Sequence, residues 1–295
     1  RQAAVLVGAD VILNPNGTAP GIYTPPRLSG SANCALFLLP GPPRELYPMF
    51  HAEVAPRLKA LSGVETISKV SELRFVGIGE SSFHEGIDEK LAEIEGLEVG
   101  YCARLGEVDL RLIGSPEAIL AGRTIAESAF SDFLIGDEGF SLEEVVVRML
   151  TEKGTTLATA ESCTGGLIAS RVTDVSGASA VFTHGFVTYS NQAKQQLIGV
   201  NENTLETHGA VSKEVAIAMA EGALARSRAD IAVSVTGIAG PTGGSEYKPV
   251  GTVWIGLATP TKRMAIKKFH PHGREFFKQA TSQNALDLIR RQLGG

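Results

Sequence analysis

The chain has 295 residues, of which 43% are hydrophobic and 20% charged, a composition typical of a globular protein long enough for two or three domains. Its formal net charge of −5 argues against a broad nucleic-acid-binding surface, and the sequence predicts neither a membrane span nor a signal peptide. The cysteines, Cys34, Cys102 and Cys163, are odd in number and far apart, so no disulfide framework and no metal site is predicted, and a cytoplasmic protein fits best.

The first segment, residues 1–65, alternates apolar runs with turn clusters. It begins at Arg1 without a methionine, which predicts that the first domain is incomplete. Residues 35–39 predict a buried strand that enters the loop Pro40 to Pro43, and a helix is expected from about Glu45 through Leu58. Because proline favours the first helical position, the loop is either a rigid turn between strand and helix or a loop that faces a ligand.

Residues 66–139 predict a small α+β module. Two alternating strands, Leu97 to Ala103 and Glu107 to Ile113, precede a helix expected from Pro116 to Phe130. The turn at Gly77 to Glu80 lacks the third glycine of a nucleotide-binding fingerprint. Its glycines are therefore interpreted as shaping the turn.

Residues 140–295 predict a third domain in which helices alternate with strands. Ser141 and Glu144 have the spacing of a capping box, which begins a helix through Glu152. Such alternation is typical of a layered α/β/α fold, whose ligand site lies in the loops beyond the strand ends. Further helices are expected at residues 191–197, 212–227 and 274–293, and strands at residues 155–160, 186–189, 231–236, 252–258 and 264–269.

The first of these loops offers three candidate nucleophiles, Ser162, Cys163 and Thr164. They lie where a strand turns into a helix, so backbone N–H groups at the helix start are available to an oxyanion or a phosphate. A Ser-His-Asp triad is poorly supported, since His184 is the only histidine near these loops. The N-terminus of a helix would lower the pKa of the Cys163 thiol and make it a better nucleophile. A lone cysteine beside a strand is, however, more often a small core residue.

The second loop contains Tyr189 and, five residues later, Lys194. A lysine that is desolvated there could lose its proton near neutral pH and act as the base for a serine. The alternative is that Tyr189 is an aromatic ring at an interface and that Lys194 is a solvated charge.

The third loop, residues 237–244, is rich in glycine but is not a Walker loop. Its backbone amides could approach a ligand closely, or the loop could be a mobile connection. Arg274 begins the last helix, where a guanidinium could bind a phosphate or lie on the surface as an ordinary arginine.

Several segments together carry a family resemblance. In the third domain these are TAESCTGG (Thr159–Gly166), GFVTYSN (Gly185–Asn191) with Lys194 after it, HGAVS (His208–Ser212), VTGIAGPTGG (Val235–Gly244), KPVGTV (Lys248–Val253) and Gly273-Arg274-Glu275. In this order they resemble the C-terminal nicotinamide-nucleotide amidase domain of the CinA family. Residues 39–43 resemble the end of that family's molybdopterin-binding-like α/β domain, and residues 75–81 with 106–108 resemble its KH-like middle domain.

The resemblance implies hydrolysis of nicotinamide mononucleotide to nicotinate mononucleotide and ammonia by a cytoplasmic homodimer without a cofactor. Ser162 would attack the amide, Lys194 would accept its proton, and Tyr189 would orient the lysine. Backbone N–H groups of Thr164, Gly165 and Gly166 would hold the oxyanion. The remaining residues assigned to substrate binding are Thr236, Gly237, Ala239, Gly240 and Arg274.

Two other functions stay open at this point. One is a nucleotide pyrophosphatase of the CinA N-terminal type, although the Gly-Gly-x-Gly-Pro-Thr and Asp-Asp stretch expected for it is absent from this sequence. The other is a competence-related nucleic-acid-binding protein. It is disfavoured because Glu80 stands where a loop that grips phosphate would have a base.

Overall fold

The computed structural model describes residues 5–26, 34–62, 69–137 and 140–294. The chain forms two compact units, Arg1–Ile67 and Ser68–Gly295. The domain boundaries predicted after residues 65 and 139 fall on positions outside the described residues. None of the helices in the described ranges combines the length and the apolar character that a membrane crossing requires.

The first unit contains a small antiparallel sheet followed by a helical segment. The sheet consists of β1 (Asp10–Ile12), β2 (Gly21–Thr24) and β3 (Leu36–Leu38), in that order. The helical segment consists of α1 (Pro43–Met49), a π-helical stretch (Phe50–Val54) and α2 (Ala55–Ser62). Pro43 begins α1, as expected if residues 40–43 form a turn between strand and helix.

The strand β3 differs from its prediction in burial. Leu36 and Leu38 are 44% and 52% exposed, so the expectation of a buried strand at residues 35–39 is wrong in that respect. The reason is that β3 is an edge strand, and alternate residues of a strand face opposite sides. Phe37, between the two leucines, is the residue that packs against the core of this unit.

The middle module, which we define as residues 69–137, contains a four-stranded antiparallel sheet in the order β5-β6-β4-β7. Its elements are β4 (Lys69–Val76), α3 (Glu80–Ala92), β5 (Glu98–Arg104), β6 (Glu107–Gly114), α4 (Pro116–Phe130) and β7 (Leu134–Asp137). The predicted strands and helices are confirmed, whereas the short strand β7 was not predicted. Gly77 has φ of +84°, which only glycine adopts readily, so its interpretation as a turn-shaping residue is confirmed.

The C-terminal domain, which we define as residues 140–294, is built on a five-stranded sheet in the order β12-β11-β10-β8-β9. The strands are β8 (Leu157–Glu161), β9 (Phe182–Val187), β10 (Ile231–Gly237), β11 (Thr252–Ala258) and β12 (Arg263–Phe269). β8 pairs in parallel with β9 and β10, while β11 and β12 are antiparallel to their neighbours. The loops that follow β8, β9 and β10 therefore meet at one edge of the sheet.

Helices cover both faces of this sheet, so the predicted layered α/β/α fold is confirmed. One face packs against α5 (Leu142–Lys153), α6 (Leu167–Thr173) and α10 (Arg274–Gly294). The other packs against α7 (Asn191–Ile198), α8 (Glu202–His208) and α9 (Lys213–Ser227). The capping box at the start of α5 is present, whereas α8 was not predicted.

Candidate active site

Ser162 follows β8 directly and faces the α7 layer of the domain. Successive residues of an extended chain point to opposite faces, so Glu161 faces α6 and Ser162 faces α7. The backbone around Ser162 is fixed, since its N–H donates to the carbonyl of Val235 and its own carbonyl accepts from Gly165 N–H. The side chain is 9% exposed. Because its backbone is fixed, the Ser162 hydroxyl is held in a position from which it can contact a group on α7.

Lys194, in the first turns of α7, meets that hydroxyl. Its Nζ lies 3.2 Å from Oγ of Ser162 and 3.1 Å from the carbonyl oxygen of Thr188. Only 2% of the residue is exposed, and it forms no ion pair with any carboxylate of the described residues. Burial lowers the pKa of Lys194 below its ordinary value of 10.5, and the nearby Cys163 opposes this shift only in part. The site therefore favours an uncharged amine next to a serine hydroxyl.

Cys163 lies in the hydrophobic core that joins the sheet to α6 and α10. Burial raises the pKa of its thiol to about 12. The thiol therefore stays protonated at neutral pH, and a protonated thiol is a poor nucleophile. The geometry favours the interpretation of Cys163 as a core residue.

The carboxylate of Glu161 lies at the start of α6, where the sequence predicted a binding site for an oxyanion. One carboxylate oxygen accepts from the Thr164 hydroxyl at 2.6 Å and from the N–H groups of Gly166 and Ile168, and the other accepts from Ala169 N–H. This buried carboxylate neutralises the positive end of the helix dipole.

The expected oxyanion donors therefore need correction. The N–H of Gly166 is bonded to Glu161, and that of Gly165 is bonded to the carbonyl of Ser162. Within the described part of the chain, the N–H groups of Cys163 and Thr164 make no backbone hydrogen bond. Of these two residues, Cys163 lines the candidate site whereas Thr164 is fully buried, so the N–H of Cys163 is the donor that this turn leaves for a ligand.

We expect Glu161→Gln to lower the free energy of unfolding of this domain by about 1–3 kcal/mol, because the amide group replaces an acceptor where buried N–H donors converge. The single tryptophan, Trp254 in β11, lies in the same sheet, so its fluorescence during urea unfolding reports on this domain.

Thr164→Val is the matched control, since it removes one donor to the carboxylate and leaves the other three. It should be destabilised less than Glu161→Gln. An equal urea midpoint for Glu161→Gln and the unaltered protein would refute the role assigned to this carboxylate.

Tyr189 does not contact Lys194 in the way that the sequence suggested. β9 ends at Val187, so Tyr189 lies in the loop beyond it and is 59% exposed. Its hydroxyl accepts a hydrogen bond of 2.5 Å from Arg274, which also donates to the carbonyl of Gly240. The structure does not support the expectation that Tyr189 orients Lys194. The carbonyl of Thr188 accepts from the lysine amine instead.

A cavity of about 250 Å³ joins these groups at the edge of the sheet. The predicted site residues and candidate nucleophiles that line it are Ser162, Cys163, Tyr189, Lys194, Thr236, Gly237, Ala239 and Arg274. Thr164, Gly165, Gly166 and Gly240 do not, and the Thr236 hydroxyl is occupied by a bond to the carbonyl of Ala210. Sequence reasoning missed three lining residues, Asn191, Ala210 and Val211, although all three lie in motifs that it had quoted.

The lining of this cavity contains two basic side chains, the amine of Lys194 and the guanidinium of Arg274, and no carboxylate. Among the described residues, no group of three or more His, Cys, Asp or Glu side chains is arranged to hold a metal ion. The arrangement offers a hydroxyl, a base and a guanidinium, a combination suited to attack on a carbonyl of an anionic molecule.

Comparisons with known proteins agree with this description of the C-terminal domain. Residues 139–293 match the family model described as CinA C-terminal domain. The CinA-like protein of Akkermansia muciniphila is 50% identical over 97% of this chain and 68% of its own length. The crystal structure of competence/damage inducible protein CihA from Agrobacterium tumefaciens is 45% identical, covering 52% of this chain and 94% of that one, with a TM-score of 0.51. That of competence damage-inducible protein A from Klebsiella pneumoniae is 35% identical, covering 52% and 95%, with the same TM-score.

Proposed function

The chain belongs to the CinA family, and on that premise we propose that its C-terminal domain hydrolyses the carboxamide of nicotinamide mononucleotide to nicotinate mononucleotide and ammonia. The observation that carries the proposal is the 3.2 Å contact between the Ser162 hydroxyl and the buried amine of Lys194. A hydroxyl and an uncharged amine in contact form a nucleophile and its base, which is what amide hydrolysis requires.

The first half of the reaction uses both groups. An uncharged Lys194 keeps one N–H for the Thr188 carbonyl and presents its lone pair to Ser162. The amine takes the hydroxyl proton as Oγ attacks the carboxamide carbon. The N–H group of Cys163 stabilises the oxyanion that forms, a contribution of about 3 kcal/mol in comparable sites. When the carbon–nitrogen bond breaks, Lys194 returns the proton to the departing ammonia.

The second half repeats this proton transfer with water. The acyl group is now an ester of Ser162, and a water molecule attacks it while Lys194 accepts a proton from that water. The tetrahedral adduct collapses, the carbon–oxygen bond to Ser162 breaks, and the proton passes from Lys194 to Oγ. Nicotinate mononucleotide leaves with the water oxygen in its new carboxylate.

The choice of a phosphorylated substrate rests on Arg274. Its guanidinium lies at the cavity, 3.2 Å from the carbonyl of Gly240, and its contact with the Tyr189 hydroxyl limits where it can point. A guanidinium fixed by its neighbours is well suited to bind a phosphate through parallel N–H bonds. Because the cavity holds only about 250 Å³, we place the pyridine carboxamide inside it and the phosphate at Arg274 near the mouth.

The proposal is tested by the products that the purified chain forms from nicotinamide mononucleotide. We expect equal amounts of ammonia and nicotinate mononucleotide, and activity that is unchanged by EDTA. The same assay run on ADP-ribose tests the pyrophosphatase alternative. Cleavage of ADP-ribose that EDTA stops, without ammonia from nicotinamide mononucleotide, would contradict the proposal.

The pH dependence of this reaction should follow the titration of Lys194. The base works only when uncharged, so kcat/KM should rise with pH as the amine loses its proton and level off above its pKa. Because burial lowers that pKa, the midpoint should lie clearly below 10.5. A series of rate measurements from about pH 6 to about pH 10 tests this. A midpoint at the value of an ordinary lysine, or no rising limb at all, would contradict it.

A further inference from the structure

A second cavity lies between the C-terminal domain and the middle module, and no step of the proposed reaction uses it. This interdomain groove has a volume of about 440 Å³. Alternate residues of β12, including Ile266 and Lys268, form one wall, and Asp287 and Arg291 from the later turns of α10 form another. Phe133 lines the groove on the side of the middle module. Its volume falls within the range of small-molecule sites.

Polar contacts hold the middle module against α10 beside this groove. The Gln283 side chain donates to Glu107 of β6 at 2.8 Å, and Arg290 donates to the carbonyl of Asp132 at 2.7 Å. Asp287 is 8% exposed and binds Arg290 as well. These hydrogen bonds between the middle module and α10 fix the walls of the groove relative to each other.

The charge of the groove favours an anion. Asp287 accepts from both Arg290 and Arg291, so its negative charge is compensated. Arg291 uses only its Nε in this bond, and its two terminal nitrogens have no acceptor among the described residues. The backbone of Lys268 pairs with Val253 of β11, but its side chain has no hydrogen-bond or ion-pair partner in the described ranges. Two cations with unused donors thus line one cavity.

The rest of the lining favours a planar ring. The guanidinium of Arg291 lies 5.0 Å from the centre of the Phe133 ring, and Ile266 and Leu288 supply apolar walls. Aromatic and guanidinium surfaces both stack on planar groups.

We propose that the interdomain groove binds a small anion that carries a planar ring, of the class of a nucleoside monophosphate. The site is separate from the catalytic pocket, because Arg291 lies seventeen positions after Arg274 on α10, about 25 Å along a helix. A ligand there touches both the middle module and the helix that begins at the catalytic pocket. Its binding stabilises their docked arrangement.

The test is calorimetric titration of the full chain with AMP, comparing the unaltered protein with Lys268→Glu and Arg274→Ala. The Lys268 side chain is exposed and without partners in the described ranges, so its replacement leaves the fold intact. We expect the Kd for AMP at the groove to rise at least about tenfold in Lys268→Glu, the loss of a charge-assisted contact, and to stay the same in Arg274→Ala.

Adenosine and inorganic phosphate separate the two halves of the ligand. Each should bind at least about tenfold more weakly than AMP, since each lacks one set of contacts. The proposal is overturned if AMP does not bind, if Lys268→Glu binds it unchanged, if Arg274→Ala abolishes the binding, or if phosphate alone binds as tightly. Binding is measured without turnover, so the result does not depend on the proposed reaction.

Discussion

Replacing Ser162 with alanine should lower kcat for nicotinamide mononucleotide by about a thousandfold or more, because the substitution removes the atom that forms the covalent intermediate. No neighbour can replace it. The Thr164 hydroxyl donates to Glu161, and burial raises the pKa of the Cys163 thiol to about 12. Ammonia release under saturating substrate measures the loss.

Cys163→Ala is the control for this experiment, since it changes the adjacent candidate nucleophile in the same turn. It should keep kcat within a few-fold of the unaltered protein, with a small loss of stability from the cavity left in the core. If Cys163→Ala were inactive and Ser162→Ala active, the nucleophile would be the thiol.

Replacing Lys194 with methionine should lower kcat by about 10²- to 10⁴-fold, the range that positioned general bases contribute. Methionine is similar in length and suits a residue that is 2% exposed, so the fold should tolerate it. Lys194→Arg separates two roles of the lysine, because a guanidinium keeps the positive charge but cannot act as an uncharged base.

We expect Lys194→Arg to be as inactive as Lys194→Met. Circular dichroism of both variants checks that the fold survives the change. If Lys194→Arg kept most of the activity, the lysine would act as a cation that binds substrate, and the assignment of a base would be wrong.

The meeting of Ser162 and Lys194 could be anticipated from the sequence because it depends on topology. Each follows one of two short strands, and β8 and β9 pair in parallel, so the loops at their carboxyl ends meet. A polar residue at the end of one such strand and a lysine just after the other are therefore neighbours, although 32 positions separate them.

The details that depend on side-chain direction could not be anticipated in the same way. Whether Tyr189 reaches Lys194 or Arg274 depends on the path of the loop beyond β9, which no residue periodicity encodes. The role of Glu161 was missed because a carboxylate at a strand end gives no sign that four donors converge on it. Short elements such as β7 and α8 were missed for a related reason, since four to seven residues hold too few turns or alternations to show a period.

The exposure of β3 illustrates a third limit. Leu36 and Leu38 are apolar, and an apolar run alone predicts burial. Their exposure depends on the position of β3 at the edge of its sheet, which is a property of the assembled unit and not of the run.

The central claim is that Ser162 and Lys194 act as one pair, and a double-mutant cycle tests it most directly. The measurement is kcat for ammonia release from nicotinamide mononucleotide by Ser162→Ala, Lys194→Met and the variant that carries both substitutions. The double variant should be about as slow as the slower single variant, because each substitution disables the same step. If the two losses instead multiply, the serine and the lysine act independently and the claim is contradicted.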